Sequence, residues 1–298
     1  MSASVPTTEE FNALAARVTE IENSLPTSPP PTQPPPPTGN MPFIDARDFG
    51  LSESSDDNRA AVQNAVDAAF ENKVGRVLLP MGFFKISDYI EVAGVALEGV
   101  GPVQSGLILT TAGKDLIHLP GSRSGVHVPG GRVAGLGLFI QAGLQGNSAV
   151  LLGQGDTNMP DRAELEGLRI TTSGLPHGLW QRAIFCNATS RLSPPGCRGM
   201  TIRDVEVFNC TTPAVVLWGI TNLRIESVNT FTGGGTQSMM GFWIGGNASV
   251  KCNDVQVSNC RTDGPINVTN TVDSGFEGRF YGGVQYDGSA VNCVFSTN

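Results

Sequence analysis

The chain is poor in histidine, charge and aromatic residues. Only three histidines stand among 298 residues, with 15% charged and 7% aromatic side chains. His118, His127 and His177 lie in no nucleophile-elbow, HExxH or Cys/His zinc context. That argues against Ser- or Cys-based hydrolysis and against a zinc centre. No apolar run approaches the roughly 18 residues a membrane helix needs, so no membrane insertion is expected. Basic residues are scarce, 19 Lys and Arg against 27 Asp and Glu, for a net charge of −8. Such a chain repels phosphate backbones, and nucleic acid is not an expected partner. The opening MSASVPTTEE has no basic start followed by an apolar core, so a cytoplasmic product without a secretory signal is expected. No pattern asks for a cofactor or a metal. GVGPVQSG (99–106) shares only composition with a dinucleotide loop, because no helix pattern follows it.

Glycine and proline are abundant, 37 and 20 residues, as suits many short strands joined by turns. The prolines cluster first in a linker. Residues 26–41 begin with the tract PTSPPPTQPPPP, which cannot be helical and should be extended and semi-rigid. Before it, Thr7 and Glu10 form a capping box, and Phe11, Leu14, Val18, Ile21 and Leu25 step by three and four. Residues 1–25 are therefore expected to form a short coiled-coil anchor helix. Held away from residues 42–298 by the linker, it needs partners: its own copies, or a socket on a larger assembly.

The remainder repeats. An eight-residue pattern, apolar at the first, third, sixth and eighth positions, recurs as AELEGLRI (163–170), MTIRDVEV (200–207), LRIESVNT (223–230) and VKCNDVQV (250–257). It is partial in VAGLGL (133–138) and AVNCVF (290–295). A single strand alternates with period two throughout. Here the phase slips by one residue, as at a bend between two strands. Short strands ending in a Gly, Asn or Asp turn precede most of these: AVLLGQG (149–155), AIFCNAT (183–189), AVVLWGI (214–220), GFWIGGN (241–247) and GVQYDGS (283–289). The irregular spacing, within the 20–50-residue window of solenoids, implies a fixed core carrying loops of varied length. A β-sandwich would need hairpin turns and simple alternation instead.

Residues 45–101 carry a resemblance. Asp48-Phe49-Gly50, the helix pattern Asp57 to Ala69, the strand pair Gly75 to Phe84 and the glycine-rich strand Val95 to Gly101 come in the order seen at the start of pectate-lyase-superfamily β-helices, bacteriophage tailspikes above all. Met81 and Phe83-Phe84 depart from the usual residues. The resemblance implies an all-β fold, a right-handed parallel β-helix over residues 42–298, with the helix covering its N-terminal end. Ser55, Asp56 and Asp57 are N-cap candidates, Val62, Ala65, Val66, Ala69 and Phe70 form the apolar face, and Gly75 ends the helix. Residues 102–130 carry little pattern.

Stacking the short strands places Val150, Ile184, Val215, Phe242 and Val284 inward, with Leu152, Cys186, Leu217, Ile244 and Tyr286. Leu151, Phe185, Val216, Trp243 and Gln285 then point outward. A mostly apolar outward stripe needs a cover, and a homotrimer interface along the helix axis is the simplest one. Cys186, Cys252 and Cys293 fall on inward positions and should be buried thiols, although Cys186 and Cys197 flank a proline-rich insert that a disulfide could close.

Chemistry is thinly signalled. Glycoside hydrolysis wants two carboxylates about 5–10 Å apart. Asp156, Asp161, Glu164 and Glu166 cluster, with Asp204 and Glu206 on the next rung. A lyase would instead need a calcium-binding acidic set and a base, for which Asp156, Asp161 and Arg162 are the candidates. Each of these is more often a solvated rung edge. Sugar contact needs only aromatic platforms and polar groups, for which His177, Trp180, Arg182, Trp218 and Tyr281 are candidates, with Trp243. The reading is a trimeric virion spike of phage type, attached through residues 1–40 and adsorbing host-surface polysaccharide. The alternative is a tailspike depolymerase acting on capsule or lipopolysaccharide.

Overall fold

A computed structural model describes residues 43–124, 126–153, 160–174, 178–187, 198–231, 241–246, 251–280, 284–286 and 290–297. The heptad residues Phe11, Leu14, Val18, Ile21 and Leu25, the proline linker, Asp156, His177, Cys197 and Tyr281 lie outside them.

Rungs of parallel strands stack through two sheets of fourteen and eight strands among the described residues. The larger sheet runs from Ile44–Asp45 through Arg76–Leu78, Ala96–Glu98, Arg132–Ala134, Glu164–Thr172, Thr201–Phe208, Thr221–Phe231, Cys252–Thr262 and Gly275–Phe280 to Val294–Thr297. Gly82–Ile86, Ser105–Leu109 and Gly137–Ile140 extend its second half. The smaller sheet takes one short strand per rung, from Ile90–Glu91 to Val284–Tyr286.

The phase slip in the repeat has a backbone cause. Gly135, Gly167, Asp204, Ser227 and Asn259 have φ of 61, 58, 53, 55 and 53°. They follow residues that pair in register, so they line up as one left-handed seam across five rungs. A left-handed residue turns the strand and resets its alternation, and Gly, Asn and Asp tolerate it best. In Thr201–Phe208, Ile202 points inward before the seam, and Val205 and Val207 point inward after it.

The core is made of columns. Leu97, Val133, Leu165, Ile202, Ile225, Val257 and Phe276 form one, all buried. In the smaller sheet Val150, Ile184, Val215 and Phe242 align as expected, but Ile266 follows Phe242 and only then Val284. The strand Ile266–Val268 was not legible because Pro265 and the outward Asn267 hide its two apolar residues. Tyr286 keeps the register of the inward column yet is 64% exposed, with no described rung beyond it.

Helix α1 (Arg59–Glu71) covers the first rungs, touching Ile44–Asp45, Arg76–Leu78 and Ile90–Glu91. Val62, Ala65, Val66 and Ala69 are fully buried, while Phe70 is only half-buried. The N-cap residue is Asn58, one past the acidic run, and Asp57 still accepts the Arg59 backbone N–H at 3.0 Å. The helix ends earlier than Gly75: Asn72 is its C-cap and Lys73 is left-handed at φ 55°, while Gly75, at φ 72°, turns the chain into the strand Arg76–Leu78. No helix among the described residues is long and apolar enough to cross a membrane.

Cys186, Cys210, Cys252 and Cys260 are buried and Cys293 half-buried. The pairing of Cys186 falls on Cys197, outside the described residues. Burial pushes the Cys210 thiol up to about 12, and those of Cys252 and Cys260 up to about 11. Because the thiolate is the nucleophile, iodoacetamide at neutral pH should label Cys293 well before Cys210, Cys252 or Cys260. Equal rates, read by peptide mass spectrometry, would contradict this packing.

Candidate functional site

Two of the predicted carboxylates, Glu164 and Glu166, fall on the outward face of the larger sheet, before the seam. There the cross-rung register sets up an ion-pair ladder. Glu98 pairs with Arg76 at 2.5 Å and with Arg132. Arg132 reaches on to Glu166 at 2.6 Å and Glu164 at 3.4 Å. Glu166 also pairs with Arg203 at 2.7 Å. Arg76, Glu98, Arg132, Glu166 and Arg203 thus alternate in sign over five rungs, with Glu164 beside Glu166. Beside them, Gly99, Gly135 and Gly167 floor a depression of about 310 Å³.

Hydrogen bonds from Arg203 and then Arg132 hold the Glu166 carboxyl below the usual carboxylate range. Glu166 therefore stays ionised, with both flanks occupied by guanidinium groups. That suits a rung-to-rung tie and not a proton donor. Glu164 is half-exposed at the edge of the same ladder. Asp161 lies at the end of the strand instead, where it lines a second depression with Arg162, Arg198, Gly199 and Asn222. His127 Nε2 stands 3.5 Å from Asp161. Asp204 sits on the seam itself. Glu206 lies past it, opposite Arg169 on the neighbouring strand, and makes no ion pair among the described residues. The structure thus divides the acidic candidates among the ladder, the strand end and the far side of the seam. Among the described residues, no three His, Cys, Asp or Glu side chains converge as metal ligands would.

The aromatic candidates separate too. Trp180 is fully buried. Its ring lies over Gly146, the residue opposite it, where a Cβ would come within 2.6 Å of the indole. Its Nε1 donates to the Thr171 carbonyl at 3.0 Å. A ring closed in this way offers no face to a sugar, so Trp180 is a core residue. In sequence SGLPHGLWQR reads as an inserted loop, whereas the strand Leu179–Asn187 already begins before Trp180.

Trp218 and Trp243 are half-buried on the outward face of the smaller sheet and meet edge to face, with centroids 4.8 Å apart and planes at 78°. Both Nε1 atoms are buried without a hydrogen-bond partner among the described residues. Such an orphaned donor costs about 1–3 kcal/mol. Leu151, Phe185, Val216 and Trp243 stand in register on four consecutive rungs. Leu151 and Phe185 are half-buried, Val216 is only 3% exposed, and Arg182 lies over the Phe185 ring at 4.3 Å. His118 precedes Leu151 in this column, and Asn267 and Gln285 follow Trp243.

One group of side chains was missed. Phe208 and Phe231 stack at 4.8 Å and 17° on the outward face past the seam. The available signal was their place one residue after the repeat, in MTIRDVEVF and LRIESVNTF.

No family model matches the chain, and no curated protein does. Solved structures do. The A-module of the mannuronan C-5 epimerase AlgE6 of Azotobacter vinelandii covers 85% of this chain and 79% of its own, at 14% identity and TM-score 0.50. The fold is a right-handed parallel β-helix. The AlgE4 A-module of the same organism covers 85% of this chain and 76% of its own, at 17% identity and TM-score 0.48. ORF18 of Geobacillus virus E2 covers 99% of this chain and 64% of its own, at 11% identity and TM-score 0.44. At these identities the likeness concerns architecture alone. In this β-helix, site chemistry has to be read from its own side chains.

Proposed function

We propose that this β-helix is a phage-type virion spike, a homotrimer that attaches through residues 1–40 and adsorbs to host-surface polysaccharide. The observation that carries the reading is the outward stripe Leu151, Phe185, Val216 and Trp243, in register over four rungs beside Trp218. Leu151, Phe185 and Trp243 are half-buried and keep some apolar surface that a second protein surface would cover, whereas Val216 is already buried within one chain. Binding ranks above depolymerisation because Glu166, the most embedded acidic candidate, is engaged on both sides by arginine.

The test joins light scattering with a polysaccharide assay on the intact chain. The expected result is a trimer mass at micromolar concentration, with capsule or lipopolysaccharide bound and no new reducing ends or unsaturated product. A monomer mass would overturn the stripe as an interface. New reducing ends would replace the adhesin with a depolymerase, leaving Asp161, Glu164 and Glu206 as the carboxylates to substitute first.

A further inference from the structure

The outward stripe Leu151, Phe185, Val216 and Trp243 has a counterpart on the larger sheet. Past the seam, Phe139 stands opposite Thr171. Phe208 follows Val207, the partner of Ile170, and so stands opposite Thr171 from the other side. Phe208 is in turn opposite Phe231, and their rings stack. Phe139, Thr171, Phe208 and Phe231 thus form a second outward column over four rungs, every member half-buried.

The two columns climb together. The strand Gly137–Ile140 leads on to Gln145–Leu152, so Phe139 and Leu151 share a rung. In the same way Thr171 shares one with Phe185, Phe208 with Val216, and Phe231 with Trp243. Each column spans about 14 Å, three steps of about 4.8 Å.

Symmetry turns this match in height into a fit. In a ring of copies, one patch meets a different patch on the next copy. Rotation about an axis parallel to the stack keeps every rung at its own height. Whatever the stripe meets on a neighbour must therefore lie on the same four rungs. Before the seam, the larger sheet carries Arg132, Glu166, Arg203 and Glu226 on them, charged groups that an apolar stripe would strip of water. Past the seam it carries the phenyl column. Bulk is also matched. Thr171 is small at the height of Phe185, and Phe208 is large at the height of Val216, which is sunk to 3% exposure. Phe139 meets Leu151, and Phe231 meets Trp243 in an aromatic pairing. Arg169 and Arg182 border the columns on one rung, each laid over a ring, and this like-charge pair weakens the fit.

We infer that Phe139, Thr171, Phe208 and Phe231 of one copy seat Leu151, Phe185, Val216 and Trp243 of the next, closing a ring of three. The partner is a second copy of this chain. The inference rests on the trimer reading and deepens it by naming both faces of the contact.

The experiment uses the full chain at physiological salt. In Thr171→Cys/Phe185→Cys, oxidation should link each copy to the next and give a covalent trimer on a denaturing, non-reducing gel. Either single variant, like wild type, should run as a monomer, because each face meets a different face. Thr171→Arg puts a long cation into the contact from a half-buried surface position and should raise the trimer dissociation constant at least tenfold. It reads the same contact even if Phe185→Cys does not fold. Gln104→Arg, on an exposed loop beside the seam, should change nothing. Covalent dimers from Phe185→Cys alone would show stripe meeting stripe and overturn the inference. So would a wild-type trimer that Thr171→Arg leaves intact and the cysteine pair does not link, although the trimer reading would stand. A monomeric wild type would remove both.

Discussion

Trp180→Ala should destabilise the β-helix by about 3–5 kcal/mol, among the largest losses any single side chain here can cause, without a specific loss of glycan binding. The ring is fully buried and seated over a glycine, so its removal leaves a cavity in the core. It also orphans the Thr171 carbonyl. Rung-on-rung contact makes solenoid unfolding depart from a single two-state step, so the readout is the shift in urea midpoint. Trp180→Phe separates the two contributions. It refills most of the volume and should cost about 1–2 kcal/mol, chiefly the lost hydrogen bond. An alanine variant with an unchanged midpoint and abolished glycan binding would restore Trp180 as a sugar platform.

Arg132→Met should cost about 2–3 kcal/mol at neutral pH, because it strips partners from Glu98 and Glu166 at once. The cost should depend on pH. Glu166 titrates below its ordinary 4.5 in the folded protein, so the folded state binds fewer protons than the unfolded one around that pH. Its contribution is therefore fully present above about pH 4.5 and is lost as pH falls through the depressed folded value. Wild type and Arg132→Met should accordingly converge in stability in acid and separate towards neutrality. Parallel curves from pH 3 to 7 would show that the ladder contributes packing and not charge. Salt should narrow the neutral-pH gap only partly, because Glu98 is nearly buried while Arg76 and Arg203 are half-exposed.

The fold was legible where each rung states itself twice, once in the eight-residue repeat and once in the short strand before it. MTIRDVEV marks its own bend because a left-handed residue breaks the alternation at Asp204, and the structure puts that residue on the seam. Residues 102–130 hid their strands for a different reason. In Ser105–Leu109 nearly every position is buried, so no polar alternation shows, and Ile117–Leu119 is too short to show one. The site was less legible than the fold. The carboxylates could be named from composition, but whether one is a titratable acid or a tie depends on what stands one rung away. Glu166 meets Arg132 and Arg203 only after the chain has travelled a whole rung in each direction. The stacked pair Phe208 and Phe231 stayed hidden likewise, since it exists only across strands.

The seam has an outcome beyond bending the sheet. It selects residues by backbone conformation alone, so Gly135, Gly167, Asp204, Ser227 and Asn259 hold equivalent places while carrying different chemistry. They lie between the self-neutralised ladder on one side and the mixed column Arg169, Glu206, Asn229, Arg261 and Arg279 on the other. Charge can therefore be written or erased along this line with the interior untouched. A lineage of such proteins could retune which surface polymers it tolerates by drifting among Gly, Asn, Asp and Ser there, while the apolar columns stay under the constraint of packing.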